Sequence, residues 1–158
     1  MAVDVFLKIK GIPGESADAK HKGDIDVLSY SFGITQTGTM SYGGGGGAGK
    51  ANFGDFSFMM RMNKATPKLM QACSNGSHIE DAVLVCRKAG DKQQEYMTYK
   101  FYDLLISSYQ TSASSEEPTE SVSFNYSKME MEYKEQDAKG NLGGSTSFKY
   151  NIKENKAY

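Results

Sequence analysis

The sequence has no tryptophan, only two cysteines and two histidines, and no apolar run approaching the ~20 residues of a membrane-spanning helix. It also lacks a charge excess, since 18 Lys and Arg stand against 19 Asp and Glu. Each shortage closes off a class of function. A near-neutral chain gives no electrostatic footprint for nucleic acid or an anionic bilayer. Cys73 and Cys86 form no C-x-x-C pair and sit in apolar patterns, which reads as reduced thiols rather than a disulfide. His21 and His78 stand alone, without the neighbours of a metal centre, so neither a metal nor a cofactor is expected. The start of the chain carries Asp4 where a secretory leader would be basic and then apolar, so it reads as a first strand, not a signal peptide.

Catalytic machinery is equally scarce. The sequence holds no G-x-S-x-G elbow, no H-E-x-x-H helix and no Asp-rich metal loop. Its acidic residues are scattered or, like Glu116 and Glu117, sit in polar loops. No catalytic or metal-ligating set is assigned, and an enzyme is not expected.

Aromatics and glycine are abundant. Ten Tyr and eight Phe suit a sheet core better than a helical bundle. The 158 residues read as a single domain, 1–158, long enough to bury about 68–70% of the unfolded surface. Val3, Val5, Leu7 and Ile9 alternate with Asp4, Phe6 and Lys8 as a strand. Ile25–Thr37 reads as one long strand with an apolar face (Leu28, Tyr30, Phe32, Ile34) and a small uncharged one (Ser29, Ser31, Gly33, Thr35). Phe56, Phe58, Met60 and Met62 mark another strand. A helix follows over Pro67–Asn75, with Thr66 as N-cap, Gly76 as its stop, and Leu69, Met70 and Cys73 on the docking face. Strands are expected over Ala82–Lys88 and Glu95–Tyr109, with a mobile loop over Thr111–Glu120. Beyond it, Val122, Phe124 and Tyr126 lose phase with Met129, Met131 and Tyr133, which suggests a bulge near Ser127 and Lys128. Phe148, Tyr150 and Ile152 form the last strand. Seven or eight strands and one helix make a barrel or two-layer sandwich.

The most distinctive segment runs from Met40, Ser41 and Tyr42 through Gly43, Gly44, Gly45, Gly46 and Gly47 to Ala48, Gly49, Lys50, Ala51 and Asn52. Five consecutive glycines between two strands are costly to order, and such a loop points to contacts outside the fold. Gly44-x-x-x-x-Gly49-Lys50 imitates a phosphate loop, but Ala51 lacks the hydroxyl for magnesium. The residues after it alternate like a strand, whereas a phosphate loop opens a helix.

Taken in order, Ile9–Ser16, His21, Ile25–Gly33, the glycine loop ending Ala48-Gly49-Lys50, Thr66–Gly76, Arg87–Gly90 and Asn151-Ile152-x-x-Asn155-Lys156 resemble the Hcp family. Hcp is the haemolysin co-regulated protein that forms the inner tube of the bacterial type VI secretion system. Tyr30 and Phe32 stand where relatives often carry Trp. The resemblance implies a mainly β fold: a small β-barrel of two packed antiparallel sheets with one short flanking helix, assembling as a hexameric ring. It further implies self-association into stacked rings, a VgrG-type spike protein, contractile sheath proteins and a baseplate as partners, and secreted effectors carried in the channel. The protein would occupy the bacterial cytoplasm before firing and then be secreted, with no nucleic acid partner and no membrane insertion. On this reading Met40–Asn52 is the ring-stacking loop, and Ser29, Ser31 and Gly33 are candidates for the channel wall. An outer solvent face would explain the same small residues. Two other classes compete: a monomeric β-barrel binding a small ligand, and a small secreted hydrolase.

Overall fold

Alternation of period two carries most of the chain into strands. The computed structural model describes residues 3–38, 49–88 and 93–158. Its elements are β1 (Val3–Ile9), β2 (Ile25–Asp26), β3 (Ser29–Ser31), β4 (Ile34–Gln36), β5 (Ala51–Phe53), β6 (Phe56–Arg61), α1 (Thr66–Asn75), β7 (His78–Lys88), β8 (Glu95–Ser112), β9 (Thr119–Asn125), β10 (Lys128–Gln136), β11 (Leu142–Asn151) and β12 (Lys156–Ala157). Every strand pairing among them is antiparallel.

The segment expected as one strand from Ile25 to Thr37 is three, because it changes partners twice. The Val27 N–H donates to the Val5 carbonyl (3.0 Å), and the next amide, Leu28, donates to Met59 (2.8 Å). Residues 25–31 thus pass from β1 to β6 and close a barrel in the order β1, β2–β3, β6, β9, β8, β7. β4 and β5 form a separate two-stranded arm. The crossing explains why Leu28 and Ile34 are exposed, while Tyr30 and Phe32 keep the inward face. Beyond the barrel, β10, β11 and β12 extend from the amino-terminal half of β8.

The loss of phase after Tyr126 is real, but its cause differs from a local bulge. Buried positions step by three residues instead of two at one line across neighbouring strands: Ile79 to Ala82, Phe101 to Leu104, and Tyr126 to Met129. The registers Ala82↔Phe101, Ile79↔Leu104 and Tyr102↔Lys128 bring these slips side by side. Asp103, at φ 51°, takes the left-handed conformation on that line. The sheet turns a corner there, whereas β8 carries its own bulge at Ile106–Ser108.

Phenylalanine fills the core in the absence of tryptophan. Phe56 lies 4.9 Å from Phe101 and 5.1 Å from Phe124, and those two are 5.2 Å apart, centroid to centroid. Phe6, grouped by alternation with Asp4 and Lys8, is buried on the opposite side of β1. There its ring stacks on His21 (4.4 Å, 8°) and lies under the Arg87 guanidinium.

The helix starts one residue earlier than expected. Thr66 is its first residue, Ala65 occupies the cap position, and Asn63 Oδ1 accepts the Ala65 N–H (2.8 Å). Gly76 (φ 67°) ends it with an N–H donated to the Ala72 carbonyl. Leu69 and Ala72 are buried and Cys73 half-buried, while Met70 looks outward, as does Met62 at the end of the preceding segment. Both cysteines are free. The loop expected over Thr111–Glu120 is shorter, since β8 and β9 pair to Ser112 and Thr119.

Candidate assembly surfaces

Three surfaces stand out: the root of the glycine loop, an uncharged sheet face and a charged sheet face. Of the loop, Met40–Ala48 lie outside the described residues, whereas Gly49, Lys50, Ala51 and Asn52 are described. The arm β4–β5 carries it, with Thr35↔Asn52 and Gln36↔Ala51 in register. At Gly49 a β-carbon would stand 2.5 Å from Thr37 Oγ1 and 2.9 Å from its carbonyl oxygen, so only glycine fits this crossing. Lys50 is followed by a strand and no helix, which removes the phosphate-loop reading. The Gly54 N–H donates to the Gly33 carbonyl (2.8 Å) and closes the base of the arm, while Phe53 stacks on Tyr150 of β11 (5.0 Å).

Ser29 and Ser31 are exposed on β3, and register extends them into a surface that reading β3 alone missed. Ser31↔Ser57, Ser57↔Ser123 and Ser123↔Ser108 set a row of four serines across β3, β6, β9 and β8. Ser57 and Ser123 are hydrogen-bonded to each other at 2.7 Å. The next row is Ser29, Met59, Ser121 and Gln110, with Met59 41% exposed. No charged residue occurs in either row. The signal was present in the sequence as serines alternating with Phe56, Phe58, Val122 and Phe124, but strand order was needed to join them. Gly33 is exposed but sits past the end of β3, at the root of the arm.

The outer face of β8–β10–β11 differs in chemistry. Lys100, Glu130 and Lys149 face one another across three strands, with Thr98, Glu132 and Ser147 in the adjacent row. The Tyr158 hydroxyl donates to Glu130 (2.6 Å), which folds the carboxy-terminal residues onto this face.

Two buried charges tie loops to the frame. Arg87, 2% exposed, donates to both oxygens of Asp18 (2.7 and 3.0 Å) and to Asp4 (3.1 Å). The Arg87 guanidinium holds the Asp18 carboxyl down at about 2. His21 has a carboxylate at each ring nitrogen, Asp24 at Nδ1 (3.0 Å) and Glu95 at Nε2 (2.7 Å). It therefore anchors the polar loop over 13–24 to β8. Glu120, 1% exposed, accepts the hydroxyls of Thr66 and Tyr109, which pins the start of α1 to β8 and β9. Among the described residues no cluster of His, Cys, Asp or Glu could hold a metal ion.

The family model described as "Type VI secretion system effector, Hcp" matches residues 6–133. The chain belongs to the Hcp family. It is 45% identical to Protein hcp1 of Pseudomonas aeruginosa, over 98% of each chain. The crystal structure of Hcp1 from Salmonella typhimurium matches 100% of both chains at 37% identity and a TM-score of 0.83. A type VI secretion effector from Yersinia pestis matches 94% of this chain and all of its own, at 33% identity and a TM-score of 0.78. Hcp membership makes the chain a component of the type VI secretion tube, in a family of structural, secreted proteins.

Proposed function

We propose that six copies close into a ring, that rings stack through Met40–Asn52, and that the serine face lines the channel through which effectors travel. The free edges of the serine sheet carry this reading. Among the described residues β3 pairs only with β6, and β8 beyond Leu105 pairs only with β9. The order β3–β6–β9–β8 is antiparallel throughout, so its outermost strands run in opposite senses. The β8 edge of one copy therefore meets the β3 edge of the next in antiparallel sense, and a head-to-tail contact of this type builds a ring when its rotation closes. Six hydroxyls and one amide around one methionine give cargo neither charge nor broad apolar surface to stick to. Gly33, Ser29 and Ser31 belong to this wall or its rim, and the charged face of β8–β10–β11 is the tube exterior.

In this assembly the chain acts as a building block without catalysis of its own. Its partners are further copies, the VgrG-type spike, the sheath proteins, the baseplate and the effectors. It waits in the bacterial cytoplasm and leaves the cell with the expelled tube. Engagement of several loops at once offsets the entropy of ordering each one, so rings stack when templated and separate when dilute. Native mass spectrometry and negative-stain electron microscopy test both levels. The chain is expected as a hexameric annulus, and deletion of Gly43–Gly49 should keep annuli while abolishing tubes. A solitary species at micromolar concentration overturns the ring, and undiminished tubes from the deletion variant overturn the stacking role.

A further inference from the structure

The loop over 13–24 closes on the outer side of β1 and β7 around a histidine whose two nitrogens both face carboxylates. His21 Nδ1 lies 3.0 Å from Asp24, and Nε2 lies 2.7 Å from Glu95 at the start of β8. A neutral imidazole carries one N–H, so it would turn a bare lone pair toward one of these oxygens. Only the imidazolium donates to both. Solvent has little part in the contact with Asp24, since the His21 side chain is 11% and the Asp24 side chain 12% exposed. From a third direction Phe6 stacks on the imidazole at 4.4 Å and 8°, so the side chain cannot swing aside while the loop is closed. The nearby charges are mostly acidic. Asp18 and Asp24 come from the loop, Asp4 from β1, Asp26 from β2 and Glu95 from β8, against Arg87 on β7 and the exposed Lys20 and Lys22. Arg87 is engaged by Asp18 and Asp4. Among the described residues no Lys or Arg pairs with Asp24 or Glu95, which leaves His21 as the cation between them.

We propose that His21 is a proton-operated latch: the loop closes on β8 with the imidazolium and loosens when the imidazole gives up its second proton. The inference is independent of the hexamer reading, because every group in it belongs to one copy. The closed loop binds a proton that the open loop releases. Closure is therefore favoured in acid and lost as pH rises through the titration of the imidazole. Arg87 and Asp18 do not titrate in that range, since the Asp18 carboxyl is held down at about 2 and a guanidinium keeps its proton. His21 thus sets the alkaline limit of a closure whose acid limit is set at Asp18. Release would uncover Phe6, 5% exposed beneath the loop, and turn the outer side of β1 and β7 from polar to apolar. For a chain of a secreted family, the latch ties the state of that surface to the acidity of the medium it enters.

Hydrogen exchange of the full chain from about pH 5.5 to about pH 8.5, read by peptide mass and corrected for intrinsic rates, tests the latch. The Gly14 and Ser16 amides, which donate to the carbonyls of Gly23 and Asp24, report closure of the loop, and β7 serves as reference. In wild type the protection of the loop should fall about tenfold over this range relative to β7. Glu95→Gln gives the decisive comparison. The new amide can donate to Nε2 of a neutral imidazole while Nδ1–H still donates to Asp24, so the loop should stay closed with protection that no longer depends on pH. Nitrogen NMR of wild type gives a second route that needs no variant, and at neutral pH it should show protons on both nitrogens of His21. Wild-type protection that is flat with pH overturns the proposal. So does a Glu95→Gln variant with the pH dependence of wild type, or a His21 that carries a single proton in the closed loop.

Discussion

The two outer faces of this barrel are made by overlapping strands and could hardly differ more. On β3–β6–β9–β8 the outward positions are Ser31, Ser57, Ser123 and Ser108, then Ser29, Met59, Ser121 and Gln110. On β8–β10–β11 they are Lys100, Glu130 and Lys149, then Thr98, Glu132 and Ser147. β8 belongs to both, and its outward residues change from charged to small across the corner at Asp103 and the bulge before Ser108. Core demands do not explain the contrast, because in both sheets these outward positions alternate with the inward ones and point away from the core. Solubility alone does not explain it either, since charge serves solubility better than serine does. On the proposed ring reading, the two faces meet different company: one is a wall that must not hold what passes, the other an exterior that meets solvent and the surrounding machine.

Breaking that contrast should give the largest effect. Ser57→Lys places a cation in the middle of the hydroxyl rows, beside Ser31 and Ser123. In a ring the substitution repeats in every subunit, so like charges crowd one narrow level of the channel. Annuli should still form, while export of lumen-borne effectors falls to background in a secretion assay. Thr98→Lys on the charged face, the matched control, should leave export unchanged. Equal behaviour of the two variants would remove the distinction between wall and exterior.

Next in size is the buried carboxylate that keeps the serine layer and the helix together. Glu120→Ala removes the acceptor shared by Thr66 and Tyr109 and leaves both hydroxyls without it. The expected loss is about 2–4 kcal/mol, read as a thermal midpoint lower by roughly 5–15 °C. Tyr109→Phe, which deletes one donor and spares the charge, should cost less.

Much of this was readable before any strand was placed. The Phe and Ser alternation in 56–59 and 121–124 gives two faces of one sheet, and Pro67 with Gly76 brackets a helix. Glu120 was not readable as buried, because its neighbours Ser114–Glu117 look like a solvated loop and only the β8–β9 register carries it inside. The break of 25–37 was invisible for a similar reason. Alternation continues through Leu28–Ile34, and nothing local records that the chain changes from β1 to β6 between two consecutive amides. Tyr133 and Phe148 carry the alternation of core residues, yet they are 43% and 39% exposed, which no local pattern records.

A second buried charge, Arg87 on β7, ties the polar loop to the barrel, and acid should loosen it. Arg87 keeps the Asp18 carboxyl at about 2, below its ordinary 3.8. A lowered carboxylate contributes stability above the unfolded value and loses it as pH falls through the folded one. The pair therefore holds the polar loop above about pH 4 and releases it between there and about pH 2. Melts of wild type and Asp18→Asn should differ near neutrality and converge toward that lower bound. A difference that persists unchanged into strong acid would mean that the asparagine disturbs packing rather than the ion pair.

The smallest effect is expected on the charged face itself. Lys100 and Lys149 flank Glu130 across β8, β10 and β11, an arrangement in which each exposed cross-strand pair is worth about 0.2–1 kcal/mol at low salt. Glu130 also accepts the Tyr158 hydroxyl, so losing one lysine leaves it a partner. Lys100→Ala should move stability by no more than about 0.5 kcal/mol, and added salt should shrink even that. A substantially larger loss in denaturant titration would show that the charge rows hold the frame together. In that case the contrast between the faces would owe as much to folding as to what each face meets.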